Sequence, residues 1–218
     1  MVMDDQLDFQ PGDIILFSGQ GAISLFVRAW TLSAYSHVGM VAKVSRENLL
    51  LTTMVGGLKL PAERVRLWKP VNLLFESTTA DETPCHISGR AFRGVQSHKP
   101  LHRIDDYAGS VWRTRLSKEW TLSPSESRLL TTDLLASLGK PYDESRFFLA
   151  GARATRPLWT SLAADRTRLF CAEMVAAALM YAFSGREFLQ FKPGLLSPAS
   201  LARKLIKSGI YDEPVKVK

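Results

Sequence analysis

Short apolar runs separated by turn residues dominate the first half of the chain. Runs of this length, bounded by Gly, Pro, Asn or Ser, are typical of β-strands. One segment, Ala22–Leu32, instead repeats its apolar residues at helical spacing and predicts a helix. The predicted strands are Asp13–Phe17, His37–Val44, Asn48–Met54, Val71–Glu76 and Ser110–Leu116.

The second half of the chain is predicted to be mainly helical. Ser123 and Glu126 have the spacing of a capping box, in which each side chain accepts a backbone N–H near the start of a helix. Strands followed by helices favour an α+β domain. The predicted helices run from Ser123 to Gly139, over Asp143–Thr167, from Cys171 to Phe183 and from Ser197 to Gly209.

A long loop is predicted before the last of these strands. Ser77–Lys99 is rich in Thr, Pro, Gly and His, and within it only Gly94–Gln96 is assigned to a short strand. Loops of this length in compact domains are usually functional covers or mobile segments. In the absence of internal repeats, we expect one domain over residues 11–212, with an N-terminal tail at 1–10 and a C-terminal tail at 213–218.

The composition is that of an ordinary globular protein of 218 residues, with 46% hydrophobic and 22% charged residues. It excludes collagen-like, disordered and disulfide-scaffold classes. No apolar run approaches the roughly 18 residues of a membrane-spanning helix, and the acidic N-terminus is unlike a secretory signal. We therefore expect a cytoplasmic protein in which Cys85 and Cys171 are reduced thiols.

Positive charge is in excess, with 28 Lys and Arg against 21 Asp and Glu. Such an excess favours anionic partners, which include phospholipid surfaces, nucleic acid and acidic polymers. The basic residues are scattered, and aromatic residues do not alternate with them as in a single-strand-binding platform. We expect no specific nucleic-acid partner, while an anionic membrane surface remains an alternative to a merely solubilising charge.

His37 and Cys171 are the strongest candidates for catalytic chemistry. Cys171 is placed in the first turn of a predicted helix, where unpaired amides and a partial positive charge favour the nucleophilic thiolate. His37 begins an apolar strand and could carry a proton, while Glu76, at the end of another strand, could fix its tautomer. Each residue also has a purely structural interpretation: a buried thiol, a core histidine and the polar end of a strand.

A metal site is the alternative to a catalytic group formed by His37, Cys171 and Glu76. Cys85, His86, His98 and His102 lie within one loop-rich stretch, and the last two have a spacing seen in zinc ligands. Adjacent side chains at 85 and 86 would not easily reach one ion, and no second cysteine pair supports a zinc finger. Phosphate-binding glycine loops and dinucleotide fingerprints are absent from the sequence. We therefore expect neither a metal nor an organic cofactor.

Six short motifs carry more information in their order than any one of them does alone. They are Pro11–Phe17 (PGDIILF), Ser36–Val41 (SHVGMV), Phe75–Thr78 (FEST), Gly94–Gln96 (GVQ), Gly139–Asp143 (GKPYD) and Phe170–Val175 (FCAEMV). In this order the chain resembles the circularly permuted NlpC-type papain-like hydrolases, the YiiX/YaeF-like amidase group, and more distantly lecithin–retinol acyltransferase. In that group the histidine strand precedes the cysteine helix, as His37 precedes Cys171 here.

The resemblance implies a permuted papain-like α+β fold, in which an antiparallel sheet packs against helices that include the nucleophile helix. It implies Cys171 as nucleophile, His37 as general base and acid, and Glu76 as the residue that orients the imidazole. Tyr142 matches a tyrosine that lines the pocket and helps to hold the oxyanion, together with the backbone N–H of Cys171. The chain departs from the Cys-Ser-Glu of many relatives, because Ala172 follows the cysteine.

The expected activity is that of a thiol-dependent hydrolase or acyltransferase that forms an acyl-enzyme. The substrate is left open between a peptidoglycan-type peptide, another isopeptide and a lipid ester. Two other classes of function remain: a catalytically silent binding or virion-structural module, and a surface adaptor that relies on charge. The sequence leaves the oligomeric state undefined. Apolar residues that would suit a lipid substrate, or simply pack in the core, are Phe147, Phe148, Leu149 and Trp159.

Overall fold

An antiparallel β-sheet forms the framework on which the chemically interesting side chains are held. In the computed structural model, the described residues are 8–21, 24–25, 28–29, 33–55, 60, 65–66, 68–80, 82–143, 169–187 and 196–218. Within them the sheet has six strands in the spatial order β4-β3-β2-β1-β5-β6. The strands are β1 Ile14–Gly19, β2 His37–Val44, β3 Val71–Thr78, β4 Gly94–His98, β5 Gly109–Thr114 and β6 Val215–Lys216.

Helices cover both faces of this sheet in the described part of the chain. The larger core places α1, α3, α4 and α5 against the face that carries Leu16, Met40 and Phe75. A smaller core on the other face holds Ile15, Phe17 and residues of α2. The helices are α1 Arg46–Val55, α2 Pro100–Asp105, α3 Pro124–Ser137, α4 Cys171–Ala182 and α5 Pro198–Lys207, with a 3₁₀ turn at Lys118–Trp120.

The predicted α+β class is confirmed, and so are the local signals that begin two helices. Ser123 accepts the backbone N–H of Glu126, whose side chain accepts the backbone N–H of Ser123 in return. Ser197 caps α5 in the same way, with Pro198 as the first helical residue. The predicted helix at 143–167 lies almost wholly outside the described residues, as does much of the one at 22–32.

The prediction of a strand at Asn48–Met54 is wrong, because this segment lies in helix α1. Ser45 and Asn48 form a reciprocal pair: the Asn48 side chain accepts the Ser45 backbone N–H at 3.1 Å, and the Ser45 hydroxyl accepts that of Asn48 at 3.3 Å. Leu49 and Thr52 are buried three residues apart, whereas Leu51 is exposed. The apolar spacing is therefore helical, and the capping pair decides the structure.

Both segments that the sequence assigns to tails contain residues in contact with the rest of the fold. Phe9 is buried in the smaller core, and Val215–Lys216 forms the strand β6 beside β5. The loop after β3 begins after Thr78, where β3 ends, and stops at Gly94, where β4 begins. In the part of the chain that the structure describes, no helix combines the length and the apolar composition needed to cross a membrane.

Candidate active site

The register of the sheet brings His37 and Glu76 to the same face. Phe17 of β1 pairs with His37, and Gly39 of β2 pairs with Glu76 of β3. Residues two apart in a strand point to the same side, so the Glu76 side chain projects diagonally toward the imidazole. Its Oε2 atom lies 2.7 Å from Nε2 of His37.

Glycine at position 39 permits this close approach. A Cβ atom there would lie 2.8 Å from the carbonyl oxygen of Phe75 and 2.8 Å from a methyl carbon of Leu74. Both distances are shorter than van der Waals contact, so a larger residue would push β3 away from β2. The glycine of the Ser-His-Val-Gly motif thus keeps Glu76 within hydrogen-bonding distance of His37.

Cys171 is the first residue of α4, as the sequence predicts. The turn before it is held by Glu173, whose Oε2 accepts the backbone N–H of Phe170 at 3.2 Å. The N–H groups of the first helical turn have no partner within the helix, and they are aligned with the positive end of its dipole. A thiolate or an oxyanion at this position would be stabilised by both effects.

The thiol of Cys171 lies within hydrogen-bonding reach of the His37 imidazole. Since Glu76 occupies Nε2, the ring nitrogen left for the sulfur is Nδ1. Burial alone would lower the pKa of His37, but the charge of a Cys171 thiolate, its hydrogen bond and the Glu76 carboxylate raise that pKa to about 9. Together these partners favour an imidazolium at neutral pH.

Glu76 itself is completely buried and depends on its partners for its charge. Burial would raise the pKa of this carboxyl, but the hydrogen bonds and charges of His37 and Arg103 hold it well below its ordinary value. Arg103 donates from Nε to Oε1 at 2.5 Å and from Nη2 to Oε2 at 3.3 Å. The carboxylate is therefore ionised and held by a cationic group on each side.

A cavity of about 180 Å³ opens beside the imidazole. Its wall includes His37, Arg103, Phe170 and Tyr142, whose ring packs on that of Phe170 at a centroid distance of 5.9 Å. Tyr142 therefore lines the cavity next to Phe170, the residue that precedes Cys171. Cys171 is only 1% exposed, and its neighbour Phe170 forms this part of the wall.

The four candidate metal ligands are divided by the sheet. Cys85 is buried in the larger core, and its sulfur accepts the backbone N–H of Ser97 at 3.4 Å. His98, which follows Ser97 in β4, faces the opposite side of the sheet. There it lines a second cavity together with His86 and His102. Among the described residues, no three His, Cys, Asp or Glu side chains are grouped so that they could hold a metal ion.

Sequence reasoning missed Arg103. Of the residues that it named, His37 and Tyr142 line the cavity, while Glu76 and Cys171 contact His37. The contact between Arg103 and Glu76 joins residues 27 positions apart and leaves no local pattern. The available signal is Pro100, because proline at the first position of a helix predicts a short helix that begins shortly after His98. That helix is α2, which carries Arg103.

No protein-family model and no curated protein matches the chain. Among solved structures, it is similar to the crystal structure of the metalloprotein YiiX from Escherichia coli O157:H7. The two share 21% sequence identity, the match covers 94% of this chain and 87% of that one, and the TM-score is 0.47. The term metalloprotein refers to YiiX. At this TM-score the similarity supports no argument about the activity or the metal content of the present chain.

Proposed function

We propose that the protein is a cysteine hydrolase of the permuted papain-like type, with Cys171 as nucleophile, His37 as general acid and base and Glu76 as the residue that orients the ring. One observation carries the proposal: the His37 imidazole lies between a fully buried carboxylate and a thiol at the start of a helix. The three groups have the order that nucleophilic catalysis by a thiol requires.

The reaction would proceed through a thioester. The Cys171 sulfur attacks the substrate carbonyl carbon, and the backbone N–H of Cys171 stabilises the negative oxygen of the tetrahedral intermediate, with Tyr142 beside it. The His37 imidazolium then gives its proton to the departing amine or alcohol. In the second half, neutral His37 takes a proton from water, the hydroxide attacks the thioester, and the thiolate leaves.

The cavity favours a polar substrate group over a fatty acyl chain. Most of its described side chains carry hydroxyl groups, and Arg103 adds a charge. A volume of about 180 Å³ suits a small group such as one amino-acid residue. We therefore propose an amide of a peptide or peptidoglycan-type peptide as the substrate, ahead of a lipid ester. The hydroxyl-bearing residues are Ser24, Ser36, Thr78, Thr79, Tyr107 and Tyr142.

A catalytically silent binding module is the second candidate. The 1% exposure of Cys171 favours it, because a nucleophile must be reached by its substrate.

A surface adaptor that relies on the net charge of +7 is a third class. Its binding to anionic vesicles or nucleic acid would be abolished by added salt and unaffected by Cys171→Ala.

A thiol-directed probe separates these candidates. Cys85 is the matched control, because it is also 1% exposed. At pH 6.5 we expect an iodoacetamide-alkyne probe to label wild type and Cys85→Ala, and to leave Cys171→Ala and His37→Ala nearly unlabelled. The reason is that the His37 imidazole stabilises the Cys171 thiolate, whereas the Cys85 sulfur is held by hydrogen bonds with Ser97 inside the larger core. Equal labelling of Cys171→Ala and Cys85→Ala would contradict the proposal.

A further inference from the structure

Both oxygens of the Glu76 carboxylate are engaged, and Arg103 contacts each of them. Oε1 accepts from Nε of Arg103 at 2.5 Å, while Oε2 is shared between Nη2 of Arg103 at 3.3 Å and Nε2 of His37 at 2.7 Å. A two-point contact of this kind fixes the plane of the carboxylate, which one hydrogen bond would leave free to rotate. The direction in which Oε2 meets the imidazole is thereby set.

Arg103 is also connected to the His37 imidazole through the ring of Phe17. The guanidinium lies 5.5 Å from the centre of the Phe17 ring and 5.2 Å from that of Tyr107. Phe17 in turn packs against the His37 imidazole, with a centroid distance of 5.4 Å. Arg103 thus supports the imidazole through the carboxylate on one side and through an aromatic ring on another.

His98 approaches Glu76 from β4, but it does not replace Arg103. Its Nε2 lies 3.7 Å from Oε1, which exceeds hydrogen-bonding distance. Burial is the main influence on His98 and lowers its pKa, so the ring is neutral at pH 7. Tyr107 is a further titratable neighbour, and its pKa is raised mainly by burial, with a smaller contribution from the Glu76 charge. Among the described residues, the cations in hydrogen-bonding contact with Glu76 are therefore Arg103 and His37.

We propose that Arg103 is a positioning residue for the His37–Cys171 pair: it fixes Glu76, and Glu76 fixes the imidazole with Nδ1 toward the sulfur. The inference rests on the proposed function and adds to it a fourth residue, contributed by α2. Arg103 does not exchange a proton in this scheme. Its loss would leave a buried carboxylate with one fewer partner and a ring that is free to turn away from the thiol.

The chain offers a matched control for the test. Arg186 makes a two-point contact with Glu126, at 2.5 Å and 2.6 Å, and lies 5.2 Å from the ring centre of Phe183. It therefore forms the same kind of pair on the same kind of aromatic support. Neither Arg186 nor Glu126 lines the cavity beside His37. Arg103→Met and Arg186→Met each remove a two-point contact with a carboxylate, the first at the buried site and the second in a more exposed position away from it.

The experiment measures the rate of Cys171 alkylation by iodoacetamide between pH 5 and 10 in the Cys85→Ala background. In Arg103→Met we expect the rate at pH 6.5 to fall at least about tenfold, a part of the roughly 10²- to 10⁴-fold that positioned acid–base groups contribute. The rise of the rate with pH should move to higher pH. Arg103→Lys, which keeps the charge without the two-point contact, should recover only part of the rate.

A double-mutant cycle tests whether Arg103 acts through Glu76. Adding Arg103→Met to Glu76→Gln should cause little further loss, because an amide has only one acceptor oxygen and cannot keep the charged two-point contact that Arg103→Met removes. Arg186→Met should lower the thermal midpoint and leave the alkylation profile unchanged. A wild-type profile in folded Arg103→Met, or full recovery in Arg103→Lys, would overturn the inference.

Failure of the proposed function would look different. If wild-type Cys171 reacted at pH 6.5 no faster than Cys85, the hydrolase proposal would fail whatever Arg103 does. The ring ¹⁵N signals of His37 then report on Arg103 without any activity. An altered Nε2 signal in Arg103→Met but not in Arg186→Met supports the positioning role, and identical signals in both variants and wild type refute it.

Discussion

Asp13 and Glu76 are both buried carboxylates, yet their surroundings affect them in opposite ways. Glu76 is in contact with a guanidinium and an imidazole, whereas the Arg115 Nε atom lies 3.8 Å from Asp13. Burial is the largest influence on Asp13 and raises its pKa to about 6, although the backbone N–H of Gln10 and the arginine charges act against it. Asp13 is thus a carboxylate whose charge is poorly compensated.

The Asp13 side chain should make stability depend on pH. Its pKa is higher in the folded chain than the ordinary 3.8, so the favourable contribution is present below about pH 3.8 and is lost as the pH rises to about 6. Asp13→Asn cannot ionise and can still accept the Gln10 N–H. We expect its free energy of unfolding, relative to wild type, to increase by up to about 3 kcal/mol between pH 3.5 and 7.5.

Urea unfolding at the two pH values measures this difference. Asp105→Asn, at an exposed position of α2, is the control and should show almost no change. If the difference in the free energy of unfolding between Asp13→Asn and wild type were the same at both pH values, the Asp13 carboxyl would not be desolvated in the folded chain.

At the scale of single residues, the sequence predicted the groups that stand in recognisable motifs. Cys171 was found because a helix start favours a thiolate, and the ordered motifs related it to His37 and Glu76. Arg103 and His98 could not be found in this way, because their proximity to Glu76 follows from the pairing of β3 with β4 and from the position of α2. Tertiary contacts of that kind have no local sequence pattern.

Among the elements, β4 and the turn after α3 form the support beneath Tyr142. The N–H of Val95 donates to the carbonyl of Lys140 at 2.9 Å, and the N–H of Gly139 donates to the carbonyl of Val95 at 2.9 Å. Gly94 makes the approach feasible, since its φ is +143° and a Cβ atom would lie 2.2 Å from the Lys140 carbonyl oxygen. The Gly-Val-Gln and Gly-Lys-Pro-Tyr-Asp motifs are therefore in direct contact with each other.

Gly94→Ala should disturb this contact strongly. We expect a loss of about 3 kcal/mol or more in the free energy of unfolding, because backbone atoms must move to admit the methyl group. Gly139→Ala is the matched control: its φ is also positive, at +84°, but the added Cβ would meet no atom within 4 Å. It should cost about 1–2 kcal/mol from backbone strain alone. Equal losses in urea unfolding would contradict the close approach.

The elements that the sequence predicted correctly are those with a strong local signal. A capping box located the start of α3, Ser197 as N-cap followed by Pro198 located that of α5, and apolar runs located most strands. The segment at Asn48–Met54 failed because a run of Leu and Thr suits both a strand and a helix over so few residues. Ser45 decides between them by capping through Asn48, which a search restricted to Glu or Gln at the third position overlooks.

At the scale of the whole molecule, the segment after α5 connects distant parts of the fold. The Tyr211 hydroxyl donates to the carbonyl of Gly12 at 2.7 Å, and β6 extends the sheet beside β5. The ammonium group of Lys218 donates to the carbonyl of Asp105 at 2.8 Å and to that of Tyr107 at 2.7 Å. These carbonyls lie at the end of α2, so residues far along the chain stabilise the helix that carries Arg103.

Lys218→Met should loosen that helix end. We expect a loss of about 1 kcal/mol in the free energy of unfolding, because a cation that satisfies helix-end carbonyls is removed. Lys216→Met is the control on the same segment, since its ammonium lies 6.0 Å from the Trp112 ring and touches no part of α2 that is described. Hydrogen exchange of the α2 amides should rise in Lys218→Met alone, and unchanged exchange would argue against this connection.

The order of the elements along the chain also matters during synthesis. A ribosome releases β2, β3 and α2, with the imidazole, the carboxylate and the guanidinium, long before it reaches α4. These three groups are therefore all synthesised before the Cys171 thiol with which the proposal pairs them. Under the proposed chemistry, the chain would become reactive only after α4 has been synthesised.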